Sequence, residues 1–456
     1  MKKGKVAAAG MLSLAMLMGT PAFNVLAAEP AVAVQPQGET LTRGEFFKML
    51  DQAIDLPKSE EKRTYKDVPQ GSELADIVNK LQTVGALHGY NDGTVRPEDK
   101  LKSGEAIALI SGALGIPDHP VPGGSSPLDS EHWASNIASW MKSAKVDYNW
   151  NDLDRAITKQ EAESLVKQLL STSSDATKLL EESQKAQKDI KSFNLKGDMS
   201  FSMVLKQNAL EQLSADERKT FEEMAKKGMS MKMEGAYVMP DSMYTKSHMK
   251  MPDFGQGVEL GDMEIEQYVI GKDMYMHMKM PEIASADSKG TSEWVKMKDA
   301  FPLDMKTMME QQMFGIPPQL EKKLFYRSAG EGQLSFQGRI DKLSDLASMM
   351  NGMQGMEDMT AALKEAEKSI GAIYLQGVMN FDPKTKLPVD SSMQFVISFN
   401  EKAGNAEEIP FKQMIMAQNV KYSDYNDNVK IELPEAAKQA KEASANVEAA
   451  KQATKQ

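Results

Sequence analysis

Thirty-five methionines, five histidines and no cysteine set the limits of the chemistry open to this 456-residue chain. Thioethers are soft ligands, so Met274, Met276, His277 and Met278, close together in sequence, could in principle hold Cu(I). On a strand, however, His277 points away from Met276 and Met278, which scatters the ligands. The alternative use of such a stripe, which continues to Met280, is packing. Methionine is flexible and polarizable, and it fits irregular apolar shapes in a core or along an acyl chain. Met199, Phe201, Met203, Met231, Met233, Met274, Met276 and Met278 are therefore the candidate lining of an apolar-ligand site. Catalytic chemistry finds no support. His88, His119, His132, His248 and His277 include no i, i+4 pair of the kind that holds a helical metal. There is no Gly-x-Ser-x-Gly elbow, no phosphate-cradling glycine loop and no cysteine nucleophile. Asp262, Glu264 and Glu266 share one strand face and read as a solvated edge rather than a carboxylate dyad. No catalytic residue, metal site or cofactor is expected, and the chain is not read as an enzyme.

A second set of candidate contacts lies nearer the N-terminus. In Thr42-Arg43-Gly44-Glu45 and Thr158-Lys159-Gln160-Glu161, a Thr stands three residues before a Glu ahead of an apolar helix, which is a capping box. A helix N-terminus with Arg43 or Lys159 beside it also suits an anion. The related stretch Lys102-Ser103-Gly104-Glu105 has Ser at the place of the basic residue. Asn91-Asp92-Gly93 is a tight turn with Gly93 supplying a positive φ. Trp133 falls in an amphipathic helix, where burial is the expectation and a sugar platform the alternative. Arg43, Glu45, Asp92, Gly93, Trp133 and Lys159 form this candidate set.

The elements that position these residues follow from periodicity. Residues 1–27 have basic, apolar and small-residue segments in the order of a secretory signal, and residues 28–40 form a Pro/Ala/Val linker. No later segment approaches the roughly 20 apolar residues of a membrane-spanning helix. The net charge of -11 makes nucleic acid an unsuitable partner. Helical spacing marks residues 41–54, 72–84 and 103–114, and an internal repeat runs through residues 41–171. Its middle copy contains Tyr65-Lys66-Asp67-Val68-Pro69 and Gly89-Tyr90-Asn91-Asp92-Gly93-Thr94-Val95-Arg96-Pro97. A third copy keeps His132-Trp133-Ala134 and Ile157-Thr158-Lys159-Gln160-Glu161 but has lost the glycine-rich turn. This repeat resembles the S-layer homology (SLH) module. The resemblance implies an all-α helical prism of pseudo-threefold form, non-covalent binding of pyruvylated secondary cell wall polysaccharide, and a place at the Gram-positive cell surface.

From residue 173 the pattern changes. A helix over residues 172–191 is followed by a strand over 193–206, and period two returns at Met229, Met231 and Met233, at Met249 and Met251, and at Met274 to Met280. A hairpin is expected over residues 374–399, turning at 382–388, with last strands at 413–422 and 429–433. Helices are expected at 210–227, 303–314 and 343–368. The architecture is then multidomain, with an α+β domain over residues 173–436 built on a curved antiparallel sheet covered by helices. The helix-then-strand opening, the hairpin at Asp382 and Lys421-Tyr422-Ser423-Asp424-Tyr425-Asn426 resemble the LolA-like and LppX-like lipoprotein carriers, which implies a half-barrel holding a lipid. Residues 437–456 are read as a frayed helix or disordered tail. The functional expectation is a secreted, wall-anchored protein displaying a domain that binds a lipid or other apolar ligand. The alternatives are a structural surface-layer component without a ligand and an extracytoplasmic Cu(I)-binding protein.

Overall fold

The computed structural model describes residues 38–59, 62–117, 119, 121, 124–206, 228–250, 262–279, 293–300, 323–341, 369–400 and 411–443, with a few positions between 211 and 222. The signal-like segment, Met280, Met251, the helices expected at 303–314 and 343–368 and most of the one at 210–227 lie outside these residues. Five helices come first: α1 (Arg43–Ala53), α2 (Glu73–Thr83), α3 (Ser103–Leu114), α4 (Ser135–Ser143) and α5 (Lys159–Leu170). A sixth, α6 (Ser174–Gln187), leads into β1 (Ser192–Leu205), β2 (Met229–Val238), β3 (Ser242–Lys250), β4 (Met263–Ile270), β5 (Asp273–Lys279) and β6 (Trp294–Met297). Then follow β7 (Leu324–Gly330), β8 (Gln333–Ile340), β9 (Ile370–Phe381), β10 (Pro388–Phe399), β11 (Phe411–Ser423), the one-turn α7 (Glu435–Lys438) and β12 (Lys441–Ala443).

Among the described residues twelve strands form one sheet, in the order β12-β6-β5-β4-β3-β2-β1-β11-β10-β9-β8-β7. Every pairing is antiparallel except that of β12 with β6, so the sheet is mixed. Residues 441–443, expected in a polar tail, pair instead with the edge of β6, and Lys441 reaches Glu293 at 2.7 Å. Residues 429–433, expected as a strand, run irregularly. The hairpin turn forms as expected. The Asp382 carboxylate accepts from the Lys384 and Thr385 amides at 3.0 and 2.7 Å, and Lys386 takes a positive φ of 60°.

The sheet has two unlike faces. Along one, strand register sets Phe201 beside Met416, Met416 beside Phe395 and Met199 beside Met231. Met231 in turn faces Met249, and Met249 faces Met263. This methionine face is covered at its β7–β9 end by α6, whose Ala176 and Leu179 join the buried cluster of Leu334, Phe336 and Tyr326. On the opposite face, β9 to β11 are covered by the helices of the N-terminal third.

That packing overturns the expected all-α prism. Leu41, Leu101 and Ile157 pass backbone hydrogen bonds around a ring, with Leu101 donating to Leu41, Ile157 to Leu101 and Leu41 to Ile157 at 2.9, 2.9 and 3.3 Å. Isolated β-bridges Thr40–Thr158, Thr42–Lys100 and Lys102–Ala156 surround that ring. The helical core is also not self-contained. Phe46, Leu81, Ile110 and Trp140 share one buried cluster with Tyr374, Val396 and Ile415 of the sheet. Trp140 meets Tyr374 edge-on, with centroids 5.8 Å apart. A helical layer that closes its core only on a sheet is one layer of a sheet-dominated fold, because neither surface is buried without the other.

Polar contacts fix the junction. The Arg327 guanidinium donates to the Gln168 side chain and the Ala144 carbonyl, both at 2.9 Å, and to the Lys145 carbonyl. Gln337 donates to the Leu169 carbonyl at 2.8 Å, and Gln376 to the Ser143 hydroxyl. Burial lowers the pKa of Arg327, and carbonyl oxygens, rather than a carboxylate, accept its hydrogen bonds.

Candidate functional site

The N-terminal candidates lie at separate stations around the threefold ring. At the first, Arg43 is buried, donating from Nε to the Val95 carbonyl at 3.0 Å and pairing with Glu105 at 2.8 Å. Its guanidinium stands 5.3 Å from the Tyr90 ring, and Arg96 stacks over the same ring at 3.9 Å. Asp92 pairs with Arg96 at 3.0 Å, and bonds from Thr94 first and Arg96 second hold its carboxyl below the ordinary aspartate value. Gly93 takes the expected positive φ of 80°, with Lys66 folded over it and donating to the Asp92 carbonyl at 2.7 Å. Arg43, Asp92 and Gly93 are thus brought together, but Arg43 is committed to Glu105 and Val95. Its side chain is only 7% exposed, which leaves little of the guanidinium for the anion it was expected to receive.

Glu45 closes the Thr42 capping box. The Thr42 amide donates to Glu45 at 2.7 Å, and this bond holds the carboxyl below its ordinary value. Lys159 opens α5, its amide donating to the Glu39 carbonyl at 2.9 Å and its side chain exposed. The box at this third station is reinforced by Arg155, bidentate to Glu161 at 2.8 and 2.7 Å. Burial raises the Glu161 pKa, but the Arg155 and Thr158 bonds outweigh it and the net shift is downward.

The second station holds Trp133, which is 58% exposed rather than buried. Its ring lies against Gly104, where an added Cβ would stand 2.8 Å from it and 3.1 Å from the Leu153 carbonyl. Only a residue without a side chain permits that approach. Lys102 pairs with Asp154 at 2.9 Å, Tyr148 and Trp150 meet edge to face at 5.1 Å, and the Ser103 hydroxyl bonds Tyr148. Ser103, read as the gap where a basic residue was missing, is fully buried structure. Tyr90, Arg96, Lys102 and Tyr148 were not singled out from the sequence. Tyr90 and Arg96 were legible in the glycine-rich turn and Lys102 in the stretch related to the capping boxes, but Tyr148 carried no local signal.

On the methionine face the candidates divide. Met199, Phe201 and Met231 are buried, and Met203, Met233, Met274, Met276 and Met278 are half-buried. The stripe at 274–278 is therefore not the buried strip its period suggested. It lies on β5, and among the described residues β6 and the three residues of β12 lie between it and the edge of the sheet. Gln267 aims its amide at the Met276 and Met274 sulfurs at 3.7 and 4.0 Å. His277 faces the other way and stacks on Trp294 at 5.2 Å, as strand geometry requires. At one end of the methionine face the rings of Phe193 and Tyr237 stack at 4.7 Å, with Tyr422 and Tyr425 about them. Burial pushes the Tyr237 phenol up to about 12. Through β1 to β5 and β8 to β10, no charged side chain points onto this face.

No family model matches the chain. A curated relative, an uncharacterized cell wall amidase of Bacillus anthracis, is 35% identical over 104 residues, which are 21% of this chain and 19% of that protein. The chain thus spans about a fifth of that relative's length. Among solved structures, LprF from Mycobacterium bovis overlaps 59% of this chain and 99% of its own, at 13% identity and a TM-score of 0.28. A LolA superfamily protein from Nitrosomonas europaea overlaps 57% and 95%, at 8% identity and a TM-score of 0.17. At these scores no property is carried over from either structure. Among the described residues no helix is long and apolar enough to cross a membrane, and no group of three or more His, Asp or Glu side chains could hold a metal.

Proposed function

We propose that this chain is a cell-wall-associated surface protein that binds an apolar ligand along the methionine face, without catalysis. The observation that carries the reading is that face itself: an uncharged surface running across strand after strand, lined by flexible thioethers that are only half-buried at Met233, Met274, Met276 and Met278. A filled core would bury these side chains. A surface meant only for water would not keep charge away over so many strands. Methionine can mould to an acyl chain without a fixed shape. The Cu(I) alternative is disfavoured by Gln267, whose amide occupies the side of Met274 and Met276 that a soft cation would need, and by His277 on the other face.

Native mass spectrometry of the full chain, purified from its own host, tests this. A lipid-sized adduct is expected. A bare chain would overturn the reading in favour of a structural surface component, and a copper-sized adduct would revive the metal alternative.

Wall association has its own support in the similarity to a wall amidase and in the threefold station built by Trp133, Gly104, Lys102 and Asp154. An exposed indole against the Gly104 backbone, in a region that also holds the Lys102–Asp154 pair, suits a sugar ring with an acidic substituent, as in a pyruvylated wall polysaccharide. The full chain is then expected to sediment with purified wall sacculi and to remain in solution when the polymer has been stripped from them. Equal sedimentation with stripped walls would remove the polysaccharide from the proposal.

A further inference from the structure

Four buried polar side chains interrupt the methionine face where α6 ends. Ser391 and Gln418 are 1% and 2% exposed, and Ser183 and Gln187 are 1% and 9% exposed. Register places Ser391 opposite Val420 and Met393 opposite Gln418, so Ser391 and Gln418 are diagonal neighbours. Such neighbours lie about 7–8 Å apart or less. Ser183 and Gln187 stand one turn apart on the α6 stripe that carries Ala176 and Leu179 onto this face. Two contacts bring that turn over the same spot. Glu182 pairs with Lys386 of the β9–β10 turn at 3.5 Å, and Ile190, just past α6, packs in one cluster with Val420.

Among the described residues, three atoms of this group have no hydrogen-bond partner: Gln187 Oε1, Ser391 Oγ and Gln418 Nε2. The other end of the Gln187 amide is satisfied, donating to the Ser183 hydroxyl at 2.5 Å. A buried polar atom without a partner is destabilising, so three in one place point to a ligand that completes them. They offer one acceptor, one donor and one hydroxyl. The strands around them, β1, β9, β10 and β11, turn no Lys, Arg, Asp or Glu toward this spot, and Lys386 and Glu182 beside it are already paired with each other, so a charged head would be buried without a free counter-ion.

We infer that this cluster is the head-group subsite of the methionine face, and that the ligand is an amphiphile with an uncharged head bearing both hydroxyl and carbonyl groups, as in a glycerol ester. The inference rests on the apolar-ligand reading. Gln187 Oε1 accepts from a head-group hydroxyl, the Ser391 hydroxyl exchanges a hydrogen bond with another, Gln418 Nε2 donates to the ester carbonyl, and the chain runs away past Met393 and Met199.

Titration of the full chain with monooleoylglycerol, oleate and octadecene, followed by native mass spectrometry, tests it against Gln418→Leu and Ser391→Ala. Each variant should bind monooleoylglycerol about tenfold more weakly than the unaltered chain, the loss expected for one hydrogen bond. Octadecene binding should be unchanged, and oleate should bind more weakly than monooleoylglycerol. Because each substitution removes an unpaired polar atom, the ligand-free variants should melt at the same temperature as the parent or higher. Equal losses for octadecene and monooleoylglycerol, no loss for either, or tighter binding of oleate would overturn the subsite while leaving the apolar-ligand reading intact. Failure of all three probes to bind would overturn both.

Discussion

Two residues that look alike from the sequence separate sharply in the structure. Arg43 and Trp133 both belong to the threefold ring, yet Arg43 is buried and paired while Trp133 is 58% exposed. Removing this buried cation leaves the Val95 carbonyl without its donor and takes the ion pair from Glu105, which keeps only the bonds from the Lys102 amide and the Tyr90 hydroxyl. Arg43→Ala should destabilise the chain by about 2 kcal/mol, a value discounted because Glu105 is partly exposed. Trp133→Ala should stay within about 0.5 kcal/mol. Urea titration of both variants checks this. If Trp133→Ala also loses sedimentation with walls, the loss is one of contact and not of folding. Glu161 makes a pH-dependent case. Its folded pKa lies below the ordinary value, so its contribution is present above that value and disappears as the pH falls through the folded one. Glu161→Gln should therefore be less stable than the parent at pH 7, with the gap closing toward pH 3. A gap that persists in acid would show that the carboxylate's charge is not what matters.

At the scale of elements, the sequence was most readable where only one face of a strand is buried. Methionines at every second position announced β2 and β5, and Asp382 with its following Pro and Thr announced the hairpin. β7 and β8 were missed. In β7 the adjacent Phe325 and Tyr326 pack on opposite faces of the sheet, one toward the helices and one toward α6, which erases the alternation. In β8 the polar residues Ser335 and Gln337 are buried, and Gln337 bonds the end of α5. Such a strand reads as neither exposed nor buried until its partner layer is known. For the same reason the burial of Trp140 was not legible as docking, since its partner Tyr374 is more than 200 residues away. Tyr374 carries an element-scale prediction. It is 1% exposed and lies under the helices, so Tyr374→Ala should cost about 3–5 kcal/mol. That loss should exceed the cost of Met276→Ala, on a half-buried position of β5, by at least about 2 kcal/mol in the same urea titration.

The whole molecule is organised by the sheet, and this decides how it should unfold. A tether joined to a cargo domain by a linker would melt in two steps, because nothing in one part would depend on the other. Here the helical layer and β9 to β11 complete one buried cluster, and Arg327 donates hydrogen bonds across the junction to Gln168, Ala144 and Lys145. Exposing either surface alone would leave Trp140, Tyr374 and Val396 in water, so partial unfolding at the junction is disfavoured. Differential scanning calorimetry of the full chain should show one cooperative transition, with calorimetric and van't Hoff enthalpies in agreement. Arg327→Met keeps much of the side-chain volume while deleting every donor, and it should lower the melting temperature and split the transition, the helical layer unfolding apart from the sheet. Two transitions in the unaltered chain would show that the shared cluster does not couple the layers. A single, merely shifted transition in Arg327→Met would assign the coupling to Trp140 and Tyr374 instead of the polar junction.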